Sequence, residues 1–408
     1  MEMRTYSILL AAALAIVPAV LLSYGQTRTV TDAEVMRVHR STLLIDTHND
    51  VPSRTVEGFD IGSHSGTGHT DIQRLKEGGV GAQFFAVYVA ASYVNGNHSA
   101  DRTLQMIDTV RHDIIDKYPN DFMFATTAKD IEEAHRRGKI AALMGIEGGH
   151  AIEDSLRLLR DYYALGIRYM TLTHSNTNNW ADSSGDITNT NVQHHNGLTP
   201  FGKEVVREMN RLGMMVDISH VADKTFWDAL EVSKAPIFAS HSSCRSIADA
   251  PRNMTDEMIV ALAKKGGVVQ VNFNCGFLSQ KYRDAQAKDG PALTARVQRE
   301  LAGKKISEPD LDILTGKLRI EMGQTRATLA DVVEHIDHIR KIAGIDAIGI
   351  GGDFDGVDCT PAGLDDVSKF PNLTRALLEK GYSAEDIRKI YGGNFLRVMR
   401  GVEAAAGK

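Results

Sequence analysis

Leu43-Leu-Ile-Asp-Thr-His-Asn-Asp50 is the stretch on which the reading of this chain turns. Leu43, Leu44 and Ile45 form an apolar run of the kind found in a strand covered on both faces, and the run stops in polar residues. Side chains alternate along a strand, so His48 and Asp50 point the same way while Asn49 points away. An imidazole and a carboxylate side by side at a strand end suit a divalent metal of the zinc type. One such triplet is weak evidence. Its weight comes from the number of later strands that end in the same manner.

Working outward, strand-like segments fall at Leu43–Thr47, Gly81–Ala90, Ile140–Ile146, Arg168–Thr173, Met214–Ser219, Ile237–Ser240, Val268–Phe273 and Ala347–Gly351. Amphipathic helix-like stretches lie between them, among them Asp154–Leu165, Phe201–Leu212, Lys224–Val232, Thr255–Lys265 and Leu329–Ala343. Gly138, Gly166, Gly213, Gly266 and Gly344 stand where helices should stop before a strand begins. Eight strands in βα alternation predict an α/β fold, a (β/α)8 TIM-like barrel, with an open doubly wound sheet as the alternative.

The strand ends carry the chemistry. The first ends in His48 and Asp50, the third in Glu147, the fourth in His174, the fifth in His220, the sixth in His241 and the eighth in Asp353. Taken singly, such a histidine is ordinarily structural and such a carboxylate is ordinarily a helix N-cap. Six strands agreeing points instead to one shared site at the barrel mouth. His48, Asp50, Glu147, His220 and His241 are too many donors for one tetrahedral zinc with an open position. They suit two metals sharing a carboxylate and holding a bridging hydroxide. Asp353 then reads as the base that handles the water's proton, and His174 as a group that polarises a carbonyl.

Composition narrows the rest. A net charge of −6 without a basic stripe speaks against nucleic-acid binding. Met1 to Arg28, with Arg4 before an apolar run, reads as a secretory signal or, if uncleaved, an N-terminal membrane anchor, which places the mature protein in the periplasm or outside the cell. Residues 29–408 then form a single barrel domain. Cys244, Cys275 and Cys359 are too few for a disulfide framework; at most one pair could form, and the default reading is small buried residues. Two segments exceed ordinary connections: the polar stretch Ser175 to Pro200, and Asn274 to Arg326, which reads as an insertion over the mouth. His64, His69, His98, His194 and His195 match no ligand pattern and read as loop or surface residues.

Asp46-Thr-His-Asn-Asp50, Gly145-Ile-Glu-Gly-Gly149, Leu172-Thr-His-Ser175 with Trp180-Ala-Asp182, Asp217-Ile-Ser-His220, Ser240-His-Ser-Ser243, Arg252-Asn253, Gly351-Gly-Asp-Phe-Asp-Gly356 and Gly392-Gly-Asn-Phe395 follow one another along the chain. In these segments the sequence resembles the membrane dipeptidase (renal dipeptidase) family of dizinc peptidases, relatives of the amidohydrolase barrels. The resemblance implies one Zn2+ on His48 and Asp50, a second on His220 and His241, and Glu147 bridging both. It also implies substrate binding by His174, water handling by Asp353, and a grip on the dipeptide's free carboxylate by Arg252. A guanidinium fork suits that last role, but from the residues alone Arg245 would serve as well. Animal members carry a C-terminal lipid anchor whose signal this chain lacks, and the segment Asn274 to Arg326 falls outside the match.

The expected activity is hydrolysis of the single peptide bond of a dipeptide, a C-terminal D-residue included, with a homodimer expected only by analogy. Two other readings are weighed: a related binuclear-metal amidase or lactamase acting on N-acyl amino acids, and a non-catalytic metal- or peptide-binding protein.

Overall fold

The computed structural model describes residues 28–407 except Ser65, so the predicted leader lies, but for Arg28, outside the described residues. Nine strands form one parallel sheet: β1 Leu44–Asn49, β2 Val80–Tyr88, β3 Phe122–Phe124, β4 Ile140–Glu147, β5 Ile167–Thr171, β6 Met215–Asp217, β7 Phe238–Ser242, β8 Val268–Val271 and β9 Ile348–Ile350. Eight of them run in the order β1-β2-β4-β5-β6-β7-β8-β9, and β3 pairs with the first three residues of β4. Every predicted strand is present. β3 has no counterpart among the predicted strands, since three residues are too few to display a period.

The ring closes between β1 and β9 through polar groups rather than a full ladder. Asn49 bridges Phe354, Asp50 N–H donates to Phe354 O at 2.9 Å, and Asp353 N–H donates to His48 O at 3.1 Å. Beneath them the buried Asp46 carboxylate accepts from Gly352 N–H at 2.8 Å and His48 N–H at 3.3 Å. These contacts draw the two ends of the sheet together at the C-terminal rim of the strands.

The inner face is set by residues two apart. Phe84 and Tyr88 of β2 share a face, as do Leu143 and Glu147 of β4. Lower on that face Phe84, Leu143, Tyr169, Met215 and Phe238 pack with Phe395 from the C-terminal helix Asn394–Ala405. At the top, Tyr88 and Glu147 open into the mouth. Gly145 makes this layering fit, because a Cβ there would come within 2.0 Å of the Tyr169 ring. Tyr169 can therefore cross β4 directly below Glu147.

Helices cover the outside, and several end where glycine was expected to stop them. Gly166 and Gly213 take φ of 114° and 84°, the left-handed backbone that glycine adopts without a Cβ penalty. Between β8 and the helix Leu329–Ala343 the chain forms helices Cys275–Leu278, Gln280–Leu301 and Glu308–Glu321. Cys275 is bonded to Cys359, in the loop after β9, and Cys244 is free and buried. All three cysteines are buried, as the default reading has it, and the β8 and β9 loops bring two of them together in the one pair that could form. Among the described residues no helix is long and apolar enough to cross a membrane.

Candidate metal centre

Five of the strands, β2, β5, β6, β8 and β9, stop one or two residues before their sequences suggest, whereas β1, β4 and β7 run one or two residues further. β6 ends at Asp217, short of the predicted Ser219, because the Asp217 carboxylate takes over hydrogen bonds that a ladder would use. Its Oδ1 accepts from Ser219 N–H at 3.0 Å and Ser240 N–H at 2.8 Å. His220, three residues on, and Asp353, three residues past β9, occupy left-handed backbone with φ of 66° and 59°. Such conformations in non-glycine residues cluster where side chains are aimed for function.

All seven strand-end residues meet at the mouth. Glu147 is the centre, and its two oxygens face different partners. Oε2 lies 3.4 Å from His48 Nε2. Oε1 lies 3.0 Å from His220 Nε2, 3.2 Å from His241 Nε2 and 3.8 Å from His174 Nε2. Asp50 Oδ2 is 3.3 Å from His48 Nε2. Three overlapping groups have donor atoms within 4.8 Å of one another: His48, Glu147 and His241; Glu147, His174 and His220; His48, Asp50 and Asp353. Gly356 makes room for the acidic side, since a Cβ there would come within 2.2 Å of Asp50 Oδ2 and 2.6 Å of Asp353 Oδ1.

The tautomers follow from the hydrogen bonds. Tyr169 O–H donates to Thr47 O at 3.1 Å, so its oxygen accepts from His48 Nδ1–H at 2.8 Å. Ser240 O–H donates to Asp217 Oδ2 at 2.6 Å, so its oxygen accepts from His241 Nδ1–H at 2.7 Å. Each imidazole, when neutral, therefore turns an Nε2 lone pair towards the Glu147 carboxylate, with no hydrogen between them. His48 Nε2 and Asp50 Oδ2 are buried without a hydrogen-bond partner. A site of facing lone pairs fits a cation, and the N/O donor set is that of a divalent metal of the zinc type.

The electrostatics agree. Burial, followed by the positive charge of Arg252 and a neighbouring imidazole, holds His220 and His241 well below the usual histidine range, in the neutral form that binds metal. Burial disfavours a proton on His48, yet Tyr169, Glu147 and Asp50 outweigh it and raise that ring well above the usual range. The pocket draws positive charge to Nε2. Burial pushes Asp353 well above the ordinary carboxyl range, with Asp50 and Glu147 adding to the effect and His48 and Asn272 opposing it. Asn272 Nδ2 donates to Asp353 Oδ2 at 2.8 Å.

His174 and Arg252 flank the cluster. His174 lines a cavity of about 390 Å³ together with Tyr88, Glu147, His220, Phe277 and Asp353. Arg252 is buried behind Phe277, its guanidinium carbon 5.5 Å from that ring. Nη1 donates to Ser242 Oγ and Nη2 to His241 O, both at 2.7 Å, while Nε is buried without a partner. Arg245, the other candidate, is engaged at the surface by both oxygens of Asp223. His64, His69, His98, His194 and His195 fall outside the three metal-competent groups. Tyr169 and Asn272 were not singled out from the sequence, and Asp217 and Ser240 entered only as parts of motif segments, with no role of their own. Asp217, a carboxylate inside an apolar strand, is the one whose sequence carried a signal.

A family model described as membrane dipeptidase (peptidase family M19) matches residues 32–408. An uncharacterized dipeptidase of Schizosaccharomyces pombe is 38% identical over 377 residues, covering 88% of this chain and 81% of that protein. Among solved structures, the probable dipeptidase PvdM of Pseudomonas aeruginosa superposes with a TM-score of 0.76 at 26% identity, covering 92% of this chain and 99% of the other. A metallopeptidase of Rhodobacter sphaeroides, liganded with a phosphinate mimic of the dipeptide L-Ala-D-Ala, has the same fold, with a TM-score of 0.70 at 24% identity and coverage of 88% and 99%. With barrel, donor cluster and family match in agreement, the chain belongs to the membrane dipeptidase family, peptidase family M19, and is a metal-dependent dipeptidase.

Proposed function

We propose that the protein is an exported dizinc dipeptidase in which His48 and Asp50 hold one ion, His220 and His241 the other, and Glu147 both. The division of Glu147 carries this reading: one oxygen faces His48 and the other faces His220 and His241. Two zinc ions so held would supply Lewis acidity towards the scissile carbonyl and an acidified, bridging hydroxide as nucleophile.

The chain's own residues do the rest. Asp353, with Oδ2 held by Asn272, presents Oδ1 to take a proton from the attacking water and pass it to the amine nitrogen as the C–N bond breaks. His174 stands beside Glu147 with an edge-on contact to Tyr88, placed to steady the carbonyl oxygen as it gains charge. Arg252 keeps Nε–H uncommitted, and a free C-terminal carboxylate is the group a guanidinium edge receives best. A clamp on the carboxylate, rather than on a side chain, is compatible with a D-residue at that position. The dipeptide mimicked by the phosphinate in the Rhodobacter sphaeroides metallopeptidase, L-Ala-D-Ala, ends in such a residue. The Cys275–Cys359 disulfide supports residence in an oxidising compartment.

Metal analysis of the purified protein, with dipeptide turnover measured before and after chelation, tests the proposal. Two equivalents of zinc, loss of turnover on chelation and recovery on zinc addition are expected. Full-speed hydrolysis by metal-free protein would overturn it. Faster cleavage of N-acyl amino acids than of any dipeptide would move the substrate assignment to the amidase reading.

A further inference from the structure

Arg54 is a buried and fully engaged charge at the mouth, outside the donor cluster. It lies on the helix Val51–Thr55, directly after Asp50, and only 2% of its surface is exposed. Nε donates to Asp310 Oδ1 at 2.7 Å, Nη1 to Asp355 Oδ1 at 3.4 Å and Nη2 to Thr67 Oγ1 at 3.1 Å. The Phe59 ring covers its face at 4.0 Å. Gly68 leaves the space for it, because a Cβ there would come within 2.0 Å of Nη1 and 2.6 Å of Asp355 Oδ1. A planar fork with fixed donor directions can join three segments in this way, and a lysine cannot.

The segments it joins are those that make the mouth. Asp355 lies two residues after Asp353 and is itself pinned, accepting from His69 N–H at 2.8 Å while its own N–H donates to His69 Nδ1 at 3.0 Å. Asp310 belongs to the helix Glu308–Glu321, which contributes Pro309, Asp312 and Ile313 to the cavity wall. The far half of that helix is fixed separately, by Arg319 to Asp358 at 3.0 Å and by Gly316 lying against the Asp358 backbone. The half that carries the wall residues is tied to the barrel through Asp310.

Building on the dipeptidase reading above, we propose that Arg54 is a positioning residue: it fastens the outer cavity wall, through Asp310, to the loop that carries Asp353, through Asp355, and so sets how tightly and selectively the site closes on a dipeptide. Arg54 touches no reacting atom. The Asp310 side chain is 34% exposed while Arg54 is buried and also holds Asp355 and Thr67, so Asp310 is the partner through which the arginine reaches the wall helix.

The test uses the zinc-loaded full chain with Asp310→Ala and, as the conservative control, Asp310→Glu. Hydrogen exchange of the amides of residues 310–313 is expected to quicken about tenfold in Asp310→Ala while residues 316–321 keep their rate. KM should rise about three- to tenfold, and the preference between a small and a bulky dipeptide should shift about threefold or more, with kcat within about twofold. Asp310→Glu should restore both. Unchanged exchange in Asp310→Ala would overturn the tie. Faster exchange with wild-type KM and selectivity would reduce the contact to a local structural one and overturn the positioning role. Should the wild type turn over no dipeptide, the substrate reading fails on its own evidence, and the exchange rates still decide whether Asp310 fastens the wall.

Discussion

Tyr169 and His48 meet across the barrel, the phenol oxygen 2.8 Å from Nδ1 of the imidazole. The contact fixes which nitrogen of His48 carries the proton and which faces the metal site. Tyr169→Phe keeps the ring that packs on Phe84 and Phe238 but leaves a buried N–H without an acceptor. Loss of such an orienting partner typically weakens metal binding by about 10–100-fold. Zinc affinity measured by competition with a chelator should fall by that amount, with the fold intact by circular dichroism. An unchanged affinity would show that packing alone orients His48.

Asp353→Asn separates base from ligand. Its hydrogen bond with Asn272 and its left-handed backbone are both open to asparagine, which tolerates that conformation. Zinc content should therefore stay near the wild-type value while kcat falls about 10²–10⁴-fold, the usual weight of a general base. His220→Ala should behave in the opposite sense and lose metal. Near-normal turnover by Asp353→Asn would remove the carboxylate from the proton transfer.

The difference between those two residues was legible in the sequence; what holds them was not. Each donor sits within five residues of an apolar run, so β-strand parity and the βα alternation were enough to gather them at one rim. Their supports come from elsewhere in the chain. Tyr169 lies on the far side of the barrel from His48, and Gly145 must lack a side chain for it to pass, a condition visible only once β4 and β5 are in register. Asp217 ends its own strand by capturing two backbone N–H groups, which is why β6 is shorter than its apolar pattern. Arg54 resembles any arginine in a short helix until the segment after β8 folds back to meet it. The Cys275–Cys359 pairing is likewise a product of two loops whose approach no spacing rule supplies.

Arg252 should discriminate substrates by their C-terminus. Two of its nitrogens are held by Ser242 and His241, which fixes the guanidinium plane and leaves Nε–H for a ligand. Removing one partner of a buried charge pair costs about 2–5 kcal/mol, so Arg252→Ala should raise KM for free-acid dipeptides about 30-fold or more. C-terminally amidated dipeptides, lacking the charge, should be affected far less. Equal losses on both would take the clamp out of the mechanism. Arg252→Lys should not rescue, because an ammonium cannot keep both protein contacts and offer an edge.

Acid should loosen the wall of the β7 loop through His335. This residue lies in the helix Leu329–Ala343, buried, with Nδ1 accepting from Cys244 N–H and Nε2–H donating to Leu278 O, both at 3.0 Å. A proton on Nδ1 would face a donor, and burial, only partly offset by the Leu278 carbonyl, holds its pKa down at about 4 against an ordinary 6.5. The folded state therefore binds fewer protons than the unfolded one between those values. The stabilisation is complete above about pH 6.5 and is lost as pH falls towards 4, by up to ~3 kcal/mol. Glutamine can keep both hydrogen bonds without titrating. His335→Gln should accordingly flatten the decline of Tm with pH across that window, whatever it does to Tm at neutral pH. An acid limb parallel to the wild type would place the titrating groups elsewhere.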